Sequence, residues 1–90
     1  MKIIKIDAIW CNSCLVMRSV WEKIEIENPW IEVESYDLDI DTESIKQYEV
    51  SARKLPLFIF LDKDGKEFLR LNGEMEKKKL VEIIAEHRNK

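Results

Sequence analysis

The spacing of hydrophobic residues changes abruptly near the N-terminal end of the chain. Residues 2–9 are dense in isoleucine, a β-branched residue typical of strands. Beyond them, apolar residues recur at i, i+3, i+4 and i+7, as Met17, Val20, Trp21 and Ile24. This spacing places side chains on one face of a helix. The pattern therefore predicts a strand followed directly by an amphipathic helix.

Two further elements are predicted after the first helix. Residues 31–38 alternate between apolar and polar side chains, which indicates a second strand. Its polar positions are mostly acidic, as is typical of an edge strand that charge protects from further pairing. A short helix is expected over about residues 43–50, with Asp41 or Thr42 able to cap it.

The last part of the chain predicts a hairpin and a helix. Leu57–Leu61 is entirely apolar, which indicates a buried strand, and residues 62–65 turn the chain into a fourth strand at Glu67–Leu71. Over about Glu74–His87 the apolar residues again form one helical stripe. The order βαβαββα makes the first two strands parallel through a right-handed crossover. We therefore predict an α/β fold: a four-stranded mixed sheet with helices on both faces.

Composition and charge narrow the class of protein. The 90 residues are 46% hydrophobic and carry a formal net charge of -3, which fits one small domain over residues 1–90 and disfavours a nucleic-acid partner. The first residues run into the strand without a signal region, and no apolar run approaches membrane-spanning length. We expect a cytoplasmic monomer that binds neither nucleic acid nor a membrane.

The two cysteines, Cys11 and Cys14, lie where the first strand pattern gives way to the helix. In a compartment that keeps thiols reduced, such a pair is more typical of a transient catalytic disulfide than of a structural one. Cys11 lies at the helix start, beside unpaired N–H groups that favour its thiolate, so it is the predicted nucleophile. Cys14, one turn further, is within reach of a mixed disulfide at Cys11 and would resolve it.

Other interpretations of the cysteine pair compete with redox chemistry. The two residues could simply be small buried side chains, or half of a zinc site. A four-ligand site needs two more cysteines or histidines, and the chain offers only His87, far along the sequence. We therefore predict no metal site within one copy of the chain. Zinc or a [2Fe–2S] cluster shared between two copies stays open as an alternative.

Taken together, these features resemble the thioredoxin family, and the resemblance covers essentially the whole chain. The matching motifs are Trp10-Cys11-x-x-Cys14 after the first strand, Asp39-Ile40-Asp41 after the second, Leu55-Pro56 before the hairpin and Gly73 before the last helix. The resemblance implies a minimal thioredoxin fold with the sheet order 2-1-3-4. It places the first and last helices on one face of the sheet and the short helix on the other.

The resemblance also implies roles for individual residues. Pro56 is implied to be a cis-proline that faces the cysteines and leaves the backbone of Leu55 free to pair with an extended substrate. Trp10 and Gly73 are implied to border the same groove, with Trp10 over the cysteines as an apolar contact. The redox centre is implied to be a Cys11–Cys14 disulfide with no bound cofactor. The implied partners are disulfide-containing client proteins and an electron donor similar to thioredoxin reductase.

Several positions depart from the family pattern. The dipeptide between the cysteines lacks the histidine of oxidising relatives, which favours a reductant. Lys5 stands where the family has a buried aspartate, and Asp37 where it has the partner lysine. We expect Lys5 and Asp37 to face the same layer, within reach of a salt bridge or a water-bridged contact. Asp7 then becomes the candidate for proton transfer with Cys14, unless Lys5 and Asp7 merely reach solvent.

The predicted function is that of a thiol–disulfide oxidoreductase that reduces protein disulfides. One alternative is a glutaredoxin-like enzyme that draws electrons from glutathione, with Arg53 or Lys54 binding its carboxylates. Against it, the chain lacks the Thr-Val-Pro and paired-glycine pattern of glutathione-binding relatives. Another alternative is a redox-inert module that holds a partner in the groove around Trp10 and Pro56. The presence of both cysteines at resolving spacing argues against that.

Overall fold

The computed structural model describes all residues 1–90 and contains one four-stranded mixed sheet with helices on both faces. No helix has the length and apolar character needed to cross a membrane. The strands are β1 (Lys2–Asp7), β2 (Glu32–Asp37), β3 (Leu57–Leu61) and β4 (Glu67–Asn72), and the helices are α1 (Asn12–Glu27), α2 (Thr42–Ile45) and α3 (Lys77–Glu86). The strand order β2-β1-β3-β4 confirms the prediction, with β1 and β2 parallel and the other pairs antiparallel.

The core consists of two apolar layers, one on each face of the sheet. Because successive strand residues point to opposite faces, Ile3 packs with α1 and α3, whereas Ile4 packs with Ile45 of α2. Trp21 is the largest buried side chain of the first layer, and its ring centroid lies 5.2 Å from that of Phe58. Both layers cover β3, which explains why all of its residues are apolar and buried. The predicted distribution of helices over the two faces is confirmed.

Two details of the helices differ from the prediction. The short helix is α-helical only over α2, continues as a 3₁₀ turn at Lys46–Tyr48, and ends where Glu49 adopts a φ of 51°. Asp41 precedes α2 but makes no capping bond, because its carboxylate accepts the N–H of Asp37 at 2.8 Å. At the other end of the chain, α3 begins later than predicted, since Glu76 is still extended (φ -68°, ψ 143°).

The topology brings four chain segments to one edge of the sheet. In the strand register, Asp7 at the end of β1 lies opposite Asp37 at the end of β2. Leu57 at the start of β3 lies opposite Ile6 on one side and Asn72 at the end of β4 on the other. The segments that follow β1, β2 and β4 therefore meet the segment that precedes β3. All the motifs quoted for the family resemblance lie in these four segments.

Candidate active site

Cys11 occupies the N-cap position of α1 rather than its first turn. Its backbone is extended (φ -91°, ψ 110°), and its Sγ accepts the N–H of Cys14 at 3.2 Å. An N-cap side chain satisfies one of the N–H groups that have no partner within the helix. A charged acceptor forms a stronger bond of this kind than a neutral one. Cys11 Sγ therefore accepts a hydrogen bond at the N-terminal end of α1, where the unpaired backbone N–H groups of a helix favour negative charge.

Cys14 lies one helical turn deeper. It is 2% exposed, against 9% for Cys11, and both are free thiols. Burial is the main cause that raises the pKa of the Cys14 thiol to about 12, and a side-chain hydrogen bond with Cys11 raises it further. A hydrogen bond with the Ala8 backbone lowers this pKa, and the negative charge of Asp7 raises it least. At neutral pH the Cys14 thiol is therefore protonated.

Trp10 lies on the surface, fixed by the loop that follows β2. Its side chain is 57% exposed, and its Nε1 donates to Oδ2 of Asp39 at 2.8 Å. Asp39 is itself held in place, because its N–H donates to Oδ1 of Asp37 at 2.8 Å. Two isoleucines of the adjoining loops, Ile9 and Ile40, are also largely exposed. Trp10 is thus part of an apolar surface next to Cys11 and not part of the core.

The segment before β3 presents a free stretch of backbone beside the cysteines. The Leu55–Pro56 peptide bond is cis, and Leu55 packs against the cluster that contains Cys11 and Cys14. Leu55 is extended (φ -98°, ψ 150°), and its N–H and carbonyl take part in none of the backbone hydrogen bonds of the chain. The carbonyl of Pro56 accepts the N–H of Gly73 at 3.0 Å. Gly73, with a φ of 87°, therefore closes the far side of this groove.

The expected salt bridge between Lys5 and Asp37 is not formed. Lys5 Nζ lies 3.3 Å from Oε2 of Glu25 on α1 and 5.5 Å from the ring centroid of Trp21. In the strand register Lys5 is opposite Ser35, so Asp37 is two residues further along β2. Oδ1 of Asp37 instead accepts the N–H of Asp39 in the loop after β2. Lys5 is therefore paired with the helix and not with the neighbouring strand.

A double-mutant cycle distinguishes the two pairings. We expect Lys5→Met and Glu25→Gln to be coupled by about 0.5–1 kcal/mol in the free energy of unfolding, since water partly screens the pair. Lys5→Met and Asp37→Asn are the control, and their effects should add within about 0.3–0.5 kcal/mol. Urea unfolding of the single and double variants measures both. Coupling to Asp37 without coupling to Glu25 would contradict the observed pairing.

A cavity of about 410 Å³ opens next to Cys14, between α1 and the strands β1 and β2. Its lining includes Cys14, Asp7, Arg18, Lys5 and Asp37. Asp7 is half-buried, and its Oδ2 lies 3.6 Å from the Arg18 guanidinium. The negative charge of Asp7 also contributes to the raised pKa of the Cys14 thiol. The carboxylate of Asp7 thus lines the same cavity as the protonated thiol of Cys14.

Arg18 and Glu25 were not among the residues singled out from the sequence. Arg18 follows Cys14 by one helical turn, and Glu25 follows Arg18 by two, so helical spacing places all three along one side of α1. That signal was available in the sequence. What it could not supply was the partner of each charge, because the partners Asp7 and Lys5 lie on β1 and the contact depends on how α1 packs on the sheet.

An N-cap thiol, a buried second thiol one turn away and a free backbone edge beside them define a site for thiol–disulfide exchange. The sequence model of the thioredoxin family matches residues 1–84. The chain is 34% identical over 85 residues to the thioredoxin of Chlamydia trachomatis, covering 94% of this chain and 80% of that protein. It is 33% identical over 88 residues to the thioredoxin of Malassezia sympodialis, covering 96% and 82%. The chain belongs to the thioredoxin family.

Solved structures agree with this assignment. The X-ray structure of Fasciola hepatica thioredoxin superposes with a TM-score of 0.82 at 32% sequence identity, covering 96% of this chain and 79% of that one. The thioredoxin of Nicotiana alata gives a TM-score of 0.83 at 27% identity, covering 96% and 71%. Together with the sequence relatives, these similarities support an oxidoreductase activity of the thiol–disulfide class.

Proposed function

We propose that this protein reduces disulfides of client proteins through a mixed disulfide at Cys11 that Cys14 resolves. The hydrogen bond from the Cys14 N–H to Cys11 Sγ carries the proposal, because it favours a thiolate on the more exposed of the two sulfurs. The buried position of Cys14 supports the complementary role, since a protonated thiol does not compete for the first attack.

The proposed reaction has two exchange steps. In the first, the Cys11 thiolate attacks one sulfur of the client disulfide; a Cys11–client disulfide forms, and the other client sulfur leaves as a thiolate. In the second, Cys14 loses its proton and attacks Cys11 Sγ, which forms the Cys11–Cys14 disulfide and releases the second client sulfur. The client gains two electrons and the protein loses two. Asp7 is the proposed acceptor of the Cys14 proton, since it lines the same cavity.

The groove residues position the client for the first attack. The unpaired N–H and carbonyl of Leu55 can pair with an extended client segment, as in strand addition to a sheet edge. Trp10 supplies an exposed apolar contact on the other side of Cys11. Pro56 and Gly73 are joined by a hydrogen bond and shape the wall behind Leu55. Main-chain pairing of this kind tolerates many client sequences.

A reconstituted reduction assay tests the proposal and its electron donor. With insulin as the client, we expect turnover when a flavin-dependent thioredoxin reductase and its nicotinamide cofactor regenerate the dithiol. Glutathione with glutathione reductase is the competing arm, and the variant with both cysteines changed to serine is the blank. Faster turnover with glutathione would replace the proposed donor. If insulin is reduced with neither the reductase nor glutathione as donor, the chain would instead be the redox-inert module.

A further inference from the structure

The two sides of Cys11 carry opposite charge. Because the strand order is β2-β1-β3-β4, the segment after β1 lies between the end of β2 and the start of β3. The loop that follows β2 carries the carboxylates of Asp39 and Asp41. The segment that leads into β3 carries the cations of Arg53 and Lys54. A client that enters the groove therefore meets negative charge on one side of Cys11 and positive charge on the other.

The basic segment is ordered and immediately precedes the client-pairing backbone. Arg53 and Lys54 belong to a 3₁₀ turn, Ala52–Lys54, which Ser51 caps: its Oγ accepts the N–H of Arg53 at 3.3 Å. Both side chains are exposed, and neither takes part in an ion pair of the chain. Leu55 follows directly. The two cations are thus held next to the groove with their charges uncompensated.

We propose that Arg53 and Lys54 select client disulfides that are flanked by acidic residues, an inference that rests on the function proposed above. A client strand paired with Leu55 passes the 3₁₀ turn that directly precedes it, so client residues next to the paired one come within reach of the long, exposed side chains of Lys54 and Arg53. Acidic side chains there gain ion pairs with two free cations. On the opposite side Asp39 and Asp41 repel the same acidic residues, which fixes the direction in which such a client binds.

The expected preference is modest and depends on salt. Exposed ion pairs contribute little individually, so two of them should give about a threefold to tenfold preference in kcat/KM for acidic over neutral flanks. The preference should shrink as ionic strength rises, because the Debye length falls from about 30 Å at 0.01 M salt to about 3 Å at 1 M. Contacts of the main chain with Leu55 carry no charge and should not show this dependence.

The test compares disulfide peptides that differ only in glutamate or glutamine flanks. We expect Arg53→Gln with Lys54→Gln to bring the glutamate-to-glutamine ratio of kcat/KM close to one, and Arg53→Glu with Lys54→Glu to invert it. Lys63→Gln with Lys66→Gln is the matched control. It removes the same charge from the β3–β4 turn at the opposite end of the sheet and should keep the wild-type ratio.

Each outcome separates this inference from the proposed function. Reduction of all peptides with equal efficiency would overturn the inference and leave the function standing, as would an equal loss of preference in the control variant. If the cation variants lost only glutathione-driven turnover, the two cations would bind glutathione and the inference would also fail. Failure to reduce any peptide would remove the proposed function itself.

Discussion

Cys14→Ser is expected to accumulate a covalent client complex at Cys11, whereas Cys11→Ser is expected to accumulate none. The asymmetry follows from position: Cys11 is the N-cap of α1 and accepts the Cys14 N–H, while Cys14 is buried and protonated at neutral pH. Both variants should lose essentially all multiple turnover, because both sulfurs form the product disulfide. Non-reducing electrophoresis and mass spectrometry of the complex measure the expected difference.

The trapping experiment has an internal control. Trp30→Ala changes a partly exposed tryptophan whose ring faces the Arg88 guanidinium at 4.8 Å, away from the groove residues. Combined with Cys14→Ser, it should leave trapping unchanged. Trp10→Ala in the same background should slow it, because an exposed apolar contact next to Cys11 is lost. Equal trapping by Cys11→Ser and Cys14→Ser would show that the assigned roles of the two sulfurs are wrong.

Asp7→Asn is expected to slow the resolving step by on the order of 10²-fold at pH 7 and to leave the first attack nearly unchanged. The reason is that Cys14, with a pKa of about 12, must give up its proton before it attacks, and Asp7 lines the same cavity. The measurement is the rate of client release from a preformed Cys11 mixed disulfide. This rate should rise less steeply with pH in the wild-type protein than in the Asp7→Asn variant. The variant lacks the Asp7 carboxylate, so water or hydroxide has to remove the Cys14 proton.

The direction of the Asp7 effect separates two roles of the carboxylate. Its negative charge raises the pKa of Cys14, so an effect through charge alone would make Asp7→Asn resolve faster. An effect through proton acceptance makes it resolve more slowly. Asp37→Asn is the control, since Asp37 lines the same cavity and the amide oxygen can still accept the loop N–H groups. An unchanged or faster rate would remove Asp7 from the mechanism and leave water as the proton carrier.

Much of the fold follows from the spacing of apolar residues because that spacing reports directly on burial. The unbroken apolar run Leu57–Leu61 is covered on both faces of the sheet, and the acidic alternation of β2 belongs to an edge strand, as predicted. The end of the short helix was harder to predict from the sequence. It depends on the left-handed conformation of Glu49, which the residue type does not signal.

The candidate site was predictable to the extent that its residues are local in sequence. Cys11 and Cys14 are about one helical turn apart, so the start of α1 alone fixes their relative position. The pairing of Lys5 was not predictable in this way. Lys5 pairs with Glu25 and not with Asp37 because of the way α1 packs against β1. The alternation of residues along a strand contains no information on how a helix packs against it.

The most direct test of dithiol chemistry is a single stoichiometric exchange without any regenerating enzyme. The fully reduced protein is mixed with an equimolar disulfide client, quenched with an alkylating agent and analysed by mass spectrometry. We expect the client disulfide to be reduced and the chain to have lost two hydrogens, with a disulfide between Cys11 and Cys14. A client that stays oxidised while both cysteines are alkylated would contradict thiol–disulfide exchange at this site.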